Sequence, residues 1–331
     1  MSRAVFLFCK HWKLDFGSFL DPGSWLLDLR RPVAFVLILL TSIAQLPAET
    51  AYLNPSADTS IMQAFPFNNF GGNEYFNSGT TQNYTTNRGL LKFDIAGALP
   101  PHAKVTAVTL TVEVVGSPVD GDTPSTFTLH RMLRDWGEGN KAGHPPQQPF
   151  LGQPATDGEA TFLYRHAGTP DPWEMPGGAP DIDYVAVPSS DTFIYGVFFS
   201  PYVFDSTPQL IADVQSWAAN PAENFGWMLI CRDETNNFTA RRFASREDPF
   251  QSPILTIDYF VPRVDAITIT DNMVSIRFAI LPGLGCRLES KTPGDFEWES
   301  VTNIPPQETT ADVIATDSLT GNSRIYRLVV E

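Results

Sequence analysis

The stretch Val105-Thr-Ala-Val-Thr-Leu-Thr-Val-Glu-Val-Val115 decides the fold class. Side chains of a strand alternate between two faces. Here Thr106, Val108, Leu110, Val112 and Val114 make one row, and Val105, Ala107, Thr109, Thr111, Glu113 and Val115 the other. The even-numbered row is the more apolar and is expected to face the core. Shorter runs of the same kind recur on both sides: Gly89-Leu-Leu-Lys-Phe-Asp94, Thr126-Phe-Thr-Leu-His130, Gly226-Trp-Met-Leu-Ile-Cys231 and Pro253-Ile-Leu-Thr-Ile-Asp-Tyr259. Turn-forming Gly, Pro, Asn and Asp separate them, with 28 prolines and 23 glycines in 331 residues. That spacing predicts an all-β protein, a jelly-roll-like antiparallel β-sandwich, and excludes a series of βαβ units.

One short helix interrupts the pattern. Thr207 can cap it, Pro208 suits its first turn, and Leu210, Ile211, Val214 and Trp217 fall at helical spacing. Asn220-Pro221 stops it, because a residue before proline is pushed out of the α region. Trp217 and Trp227 sit in regular apolar patterns and are expected in the core. The stretch from Lys141 to Asp183 is rich in Pro and Gly and carries the aromatics Phe150, Phe162, Tyr164 and Trp173. A connection of that length is the first place to look for a ligand.

From Val264 a new series of short strands begins: Ala266-Ile-Thr-Ile-Thr270, Met273-Val-Ser-Ile-Arg-Phe278, Cys286-Arg-Leu-Glu289 and Arg324-Ile-Tyr-Arg-Leu-Val-Val330. The expected division is therefore a segment 1–48, a β-sandwich 49–260, and a small fibronectin-like β-domain 261–331. At the front, Arg30-Arg31-Pro32 precedes the apolar run from Val33 to Ala44, and small residues follow at Ser42, Ala44 and Ala48. A run this short suits the hydrophobic part of a secretory signal better than a membrane span. Export, with cleavage near Ala44 or Ala48 and no stable membrane insertion afterwards, is the expectation, and an uncleaved N-terminal anchor is the alternative.

The chain carries a net charge of −15, and the first 48 residues hold five basic against three acidic side chains, leaving the remainder more acidic still. So negative a surface repels nucleic acid, and a polyanion could be held only at a local arginine cluster. Beyond Cys9, Cys231 and Cys286 are expected to be separate buried thiols, and no CxxC or HExxH pattern supports a zinc site.

Several motifs resemble those of DNRLRE domains, also called disaggregatase-related domains, which overlap carbohydrate-binding module family 96. Those motifs are Ala57-Asp-Thr59, Asn68-Asn-Phe-Gly71, Asn87-Arg-Gly-Leu-Leu-Lys-Phe-Asp94, Leu99-Pro, Val105 to Leu110, Trp136-Gly-Glu-Gly139, and Gly158-Glu-Ala-Thr-Phe162. Trp173 with Pro176-Gly-Gly178, the helix ending in Trp217, Asn224-Phe-Gly226, and Phe243-Ala-Ser-Arg-Glu247 complete the series in the same order. The resemblance covers Thr50 to Phe260. It implies a jelly-roll-like sandwich in an exported protein that binds polysaccharide, in some cases acidic polysaccharide, or serves in a cell surface or matrix.

Sugar rings have apolar C–H faces, so a glycan site pairs aromatic platforms with groups that bond hydroxyls. Trp136, Tyr164 and Trp173 are the candidate platforms; the competing role for both tryptophans is to pin the long loop. Arg241, Arg242 and Arg246 are the candidate uronate-binding guanidinium groups. Against that, Arg246 has Glu247 beside it as an internal partner. Asp58 and Asp94, with Glu247, are candidate ligands of a structural calcium, although Asp58 and Asp94 are equally suited to capping turns. No other cofactor is called for. Tyr164-Arg165-His166 offers the residue types of a polysaccharide lyase, but alternation would let only Tyr164 and His166 converge. A glycosidase reading needs two carboxylates, which a chain with 37 acids supplies by chance. The expected function is non-catalytic polysaccharide binding; a purely structural surface protein and a lyase or glycosidase are the alternatives.

Overall fold

The computed structural model describes residues 49–100, 103–143, 151–261, 264–309, 311–318 and 324–330. The proposed export segment, residues 1–48, lies outside them. No helix among the described residues is long and apolar enough to cross a membrane.

The described residues form an all-β protein built from antiparallel ladders. One sheet has four strands in the order Glu49–Leu53, Ile254–Phe260, Lys104–Val112 and Tyr202–Phe204. The other has eight. It runs from Ser190–Ile194 through Ser125–Arg131, Trp227–Cys231, Thr86–Lys92, Tyr75–Thr80 and Arg241–Ala244 to Val114–Gly116, with Ala57–Met62 paired to Thr86–Lys92. Neighbours in both sheets are mostly far apart in sequence, so the core closes only when distant segments meet.

Between the sheets lie Leu110, Phe127, Trp227, Leu229, Phe243 and Ile257. The even-numbered row of Lys104–Val112 faces this core from Val108 onward, as the alternation predicts. Thr106 departs from it. Tyr259 pairs with Val105 and Asp258 with Ala107, a bulge that skips Thr106, so Val105 is buried and Thr106 turns to solvent. The helix forms as expected over Pro208–Ala219, and the Thr207 hydroxyl accepts from the Leu210 N–H. Its buried stripe places Trp217 edge-on against Trp227, with ring centroids 4.6 Å apart.

The central strands of the eight-stranded sheet are covered on both faces. All five residues of Trp227–Cys231 are buried, and so are both Leu90 and Leu91. Leu91, Trp227 and Leu229 face the four-stranded sheet, whereas Leu90, Met228 and Ile230 join Trp136, Phe162, Trp173 and Tyr184 in a second core. The described part of the Pro/Gly-rich connection from residue 151 onward is therefore a cover packed on the sheet. Gly226 starts the central strand at φ 74°, and a Cβ there would lie 2.0 Å from the Leu91 carbonyl oxygen, so only glycine fits.

Strands from Val264 onward pair only with one another among the described residues. They make two three-stranded sheets, Val264–Thr270 with Met273–Ile280 and Ala311–Ser318, and Glu299–Ile304 with Cys286–Lys291 and Ile325–Val330. Val274, Ile276, Phe278, Cys286 and Leu288 form their own core. Cys231 and Cys286 are both buried and do not form a disulfide with each other.

Candidate functional site

Four of the residues expected to face a ligand are placed elsewhere. Trp136 and Trp173 are only 5% and 2% exposed, and their indole N–H groups donate to the Phe225 and Thr161 carbonyls at 2.8 Å. Both rings are consumed in anchoring the cover, the competing role weighed for them, and neither presents a platform. Arg241 is 1% exposed. Its guanidinium donates to the carbonyls of Phe238, Ala240, Thr123 and Tyr195 at 2.9–3.1 Å, so it ties loops together instead of meeting a uronate. Asp94 caps the short helix Ile95–Ala98 by accepting from the Gly97 N–H, far in role from a metal ligand. Tyr164 is half-buried at the start of Tyr164–His166.

Arg241 and Arg242 both border a cavity, and Arg242 is the more exposed of the two. Alternation turns it to the opposite side of Arg241–Ala244 from Phe243, and its guanidinium carbon lies 4.9 Å from the Tyr75 ring centroid. There it lines a cleft of about 480 Å³. The hairpin between Tyr75–Thr80 and Thr86–Lys92 supplies the polar wall: Asn77, Thr81, Gln82, Asn83, Thr85 and Asn87. This turn is fixed internally, with the Thr81 and Thr85 hydroxyls 2.7 Å apart and the Asn83 N–H donating to Thr81. Tyr84 adopts φ 59° at its tip. Phe65, Pro118 and Val119 make the apolar wall. Residues bearing amides and hydroxyls, together with Arg242, thus line a space that also has an apolar wall.

Arg246 belongs to a second cluster. Its Nε lies 2.6 Å from Glu138 Oε1 and 2.9 Å from Glu247 Oε1, and its backbone N–H donates to Asp58 Oδ2 at 2.7 Å. Glu138 Oε1 also accepts from the Asp58 N–H at 2.8 Å. One oxygen from each of the three carboxylates lies within 4.8 Å of the others. Burial pushes the Asp58 carboxyl well above the ordinary carboxylate range, against the opposing bond from Arg246 N–H. Burial raises Glu138 as well. Asp58, Glu138 and Glu247 are the residues that could hold a divalent cation. Calcium asks for six to eight oxygens, and here the guanidinium already supplies positive charge to the same carboxylates.

The Tyr164-Arg165-His166 segment is arranged differently from expectation. A register shift opposite Asp171–Pro172 falls between Tyr164 and His166, and it breaks the alternation. In consequence Arg165 and His166, adjacent in sequence, both approach Asp171. His166 lies 3.9 Å from both Asp135 and Asp171, and Arg165 lies 3.5 Å from Asp171. A Cβ at Gly137 would lie 1.7 Å from the Gly158 carbonyl, so glycine is required for this close approach.

The cleft's polar wall went unread in the sequence, although the run Thr80-Thr-Gln-Asn-Tyr-Thr-Thr-Asn87 of amides and hydroxyls was a usable signal. Glu138 was quoted only as part of a motif. No protein-family model matches this chain, and no curated protein matches it as a relative.

Proposed function

We propose that the protein is an exported, non-catalytic polysaccharide-binding β-sandwich of the DNRLRE type, and that the cleft beside Arg242 is where it takes an acidic glycan. The lining of that cleft carries the proposal. Hydroxyl-rich ligands are recognised by amides and hydroxyls, uronate carboxylates by guanidinium, and the apolar ring face by residues such as Phe65 and Pro118. The DNRLRE resemblance rests on the order of its motifs, and export on the Val33 to Ala44 segment. Because the chain is strongly acidic, binding depends on a local pair and weakens as salt shortens the Debye length to about 10 Å at 0.1 M. The test is calorimetric titration with alginate, pectin and chondroitin oligosaccharides. Arg242→Ala is expected to weaken the acidic ligand selectively, and an unchanged affinity in that variant would remove the cleft from consideration.

A further inference from the structure

We infer that the outer face of the eight-stranded sheet, at its Ser190–Ile194 edge, is a second glycan-binding surface that takes the apolar faces of neutral pyranose rings. This rests on the polysaccharide reading and extends it to a different ligand class and another part of the sandwich.

The strand alternates sharply. Ile194 is buried in the sandwich core, whereas Asp191 and Phe193 point outward, opposite Thr128 and Thr126 of the neighbouring strand. The outward line continues through Tyr195 to Val197–Phe199. Phe193, Tyr195, Phe199 and Phe198 are 47%, 51%, 67% and 100% exposed. Ring centroids are 4.9 Å apart between Phe193 and Tyr195, and 5.3 Å between Tyr195 and Phe199. Contiguous aromatic exposure of this kind marks an interaction site more often than a solvated surface.

The segment is also held in place from beneath. The Tyr202 hydroxyl accepts from the N–H groups of Tyr195 and Gly196 and donates to the Gly196 carbonyl at 2.6 Å. Buried Arg241 donates to the Tyr195 carbonyl at 3.1 Å. The rings are therefore presented on ordered backbone, which lowers the entropy lost on binding.

Polar groups lie at the end of the row. Arg232 bonds Asp191 at 2.6 Å, and Arg232 with Thr128 lines a cavity of about 310 Å³ that also holds His130, Tyr184 and the Arg88–Glu234 pair. Glu234 meets Arg88 through two bonds of 2.7 Å. An exposed aromatic row, its rings edge-on or tilted to one another, beside a strand whose Asp191 bonds a residue of a polar cavity suits a sugar, whose faces are apolar and whose edges carry hydroxyls. A lipid surface would bury the Asp191–Arg232 pair without replacing its water. A second copy would bring another chain of net charge −15 against this one. The ligand is neutral rather than acidic because Arg232 is already paired, and an incoming carboxylate would meet Asp191.

The test compares wild type, the triple variant Phe193→Ala, Tyr195→Ala, Phe199→Ala, and Arg242→Ala. All are checked for an unchanged melt and titrated with cello-, manno-, xylo- and laminari-hexaose and with an alginate hexamer. The expected result is that at least one neutral hexasaccharide binds wild type and Arg242→Ala alike and is weakened about tenfold or more in the triple variant, while alginate affinity stays within about twofold. Absence of any neutral binding, or equal binding by the triple variant, would overturn the inference. So would wild-type cosedimentation with phosphatidylcholine vesicles, or wild-type dimerisation in the ultracentrifuge, that the triple variant abolishes. Neutral binding lost in the triple variant as expected, with no alginate binding by wild type, would support the aromatic row and count against the Arg242 cleft.

Discussion

Arg241 and Arg242 are adjacent in sequence and opposite in role, and substituting each by Met separates the two roles. Arg241 donates four hydrogen bonds to backbone carbonyls and lies 3.9 Å from Asp122, its partly exposed counter-ion. Hydrogen bonds to a charged group contribute about 1.5–3 kcal/mol each, but the desolvation of the buried guanidinium offsets much of that sum. Its Nε is enclosed without a partner, which lowers the net further. Met keeps the alkyl volume and leaves four carbonyls to be hydrated or unpaired, so the expected loss is about 3–5 kcal/mol. Arg242, half-buried at the cleft, is expected to cost no more than about 1 kcal/mol as Arg242→Met. Urea unfolding followed by tryptophan fluorescence measures both, and with a slope of about 1–3 kcal/mol/M the two midpoints should differ by at least roughly 0.7 M. Equal stabilities, or a larger loss at Arg242, would refute the assignment of Arg241 as a structural tie.

Trp173→Ala is expected to cost about 3–5 kcal/mol and to expose the cover over residues 151–183 to protease; a variant as resistant as wild type would contradict the second core. Asp58→Asn keeps an acceptor for the Arg246 N–H and removes a charge that burial penalises. Because the folded carboxyl is raised, its contribution to stability is complete below about pH 4 and is lost as pH rises through the raised value, so the Asn variant gains on wild type toward pH 8. A stability difference independent of pH in urea melts would contradict this. Arg246→Met leaves Asp58, Glu138 and Glu247 without their internal cation, and is expected to lower the melting temperature and make it rise with added calcium more than in wild type. Equal calcium responses would show that the guanidinium does not occupy that role.

The sequence made the sandwich legible where side chains alternate without interruption, as in Val108 to Val112, and where local chemistry punctuates the chain, as at Thr207-Pro208, but it did not show that the run crosses at Glu113 from one sheet to the other. Bulges were invisible. One at Thr106 turned a residue outward, and another beside Tyr164 brought both Arg165 and His166 near Asp171, because register depends on a partner strand that sequence does not name. Burial on both faces of Trp227–Cys231 hid the purpose of the long connection, and with it the fate of Trp136 and Trp173. The aromatic row at Phe193 and Tyr195 escaped notice because nothing in a strand of alternating residues reveals which face is covered.

The most direct measurement is calorimetric titration of the wild-type protein and Arg242→Ala with alginate oligosaccharides at low and high salt, with the mixtures assayed afterwards for new unsaturated and reducing ends. Saturable binding to wild type that weakens with salt and with loss of Arg242, and no new chain ends, is the expected result. Absence of binding to every acidic glycan tried, or release of unsaturated ends that disappears in His166→Ala, would contradict it.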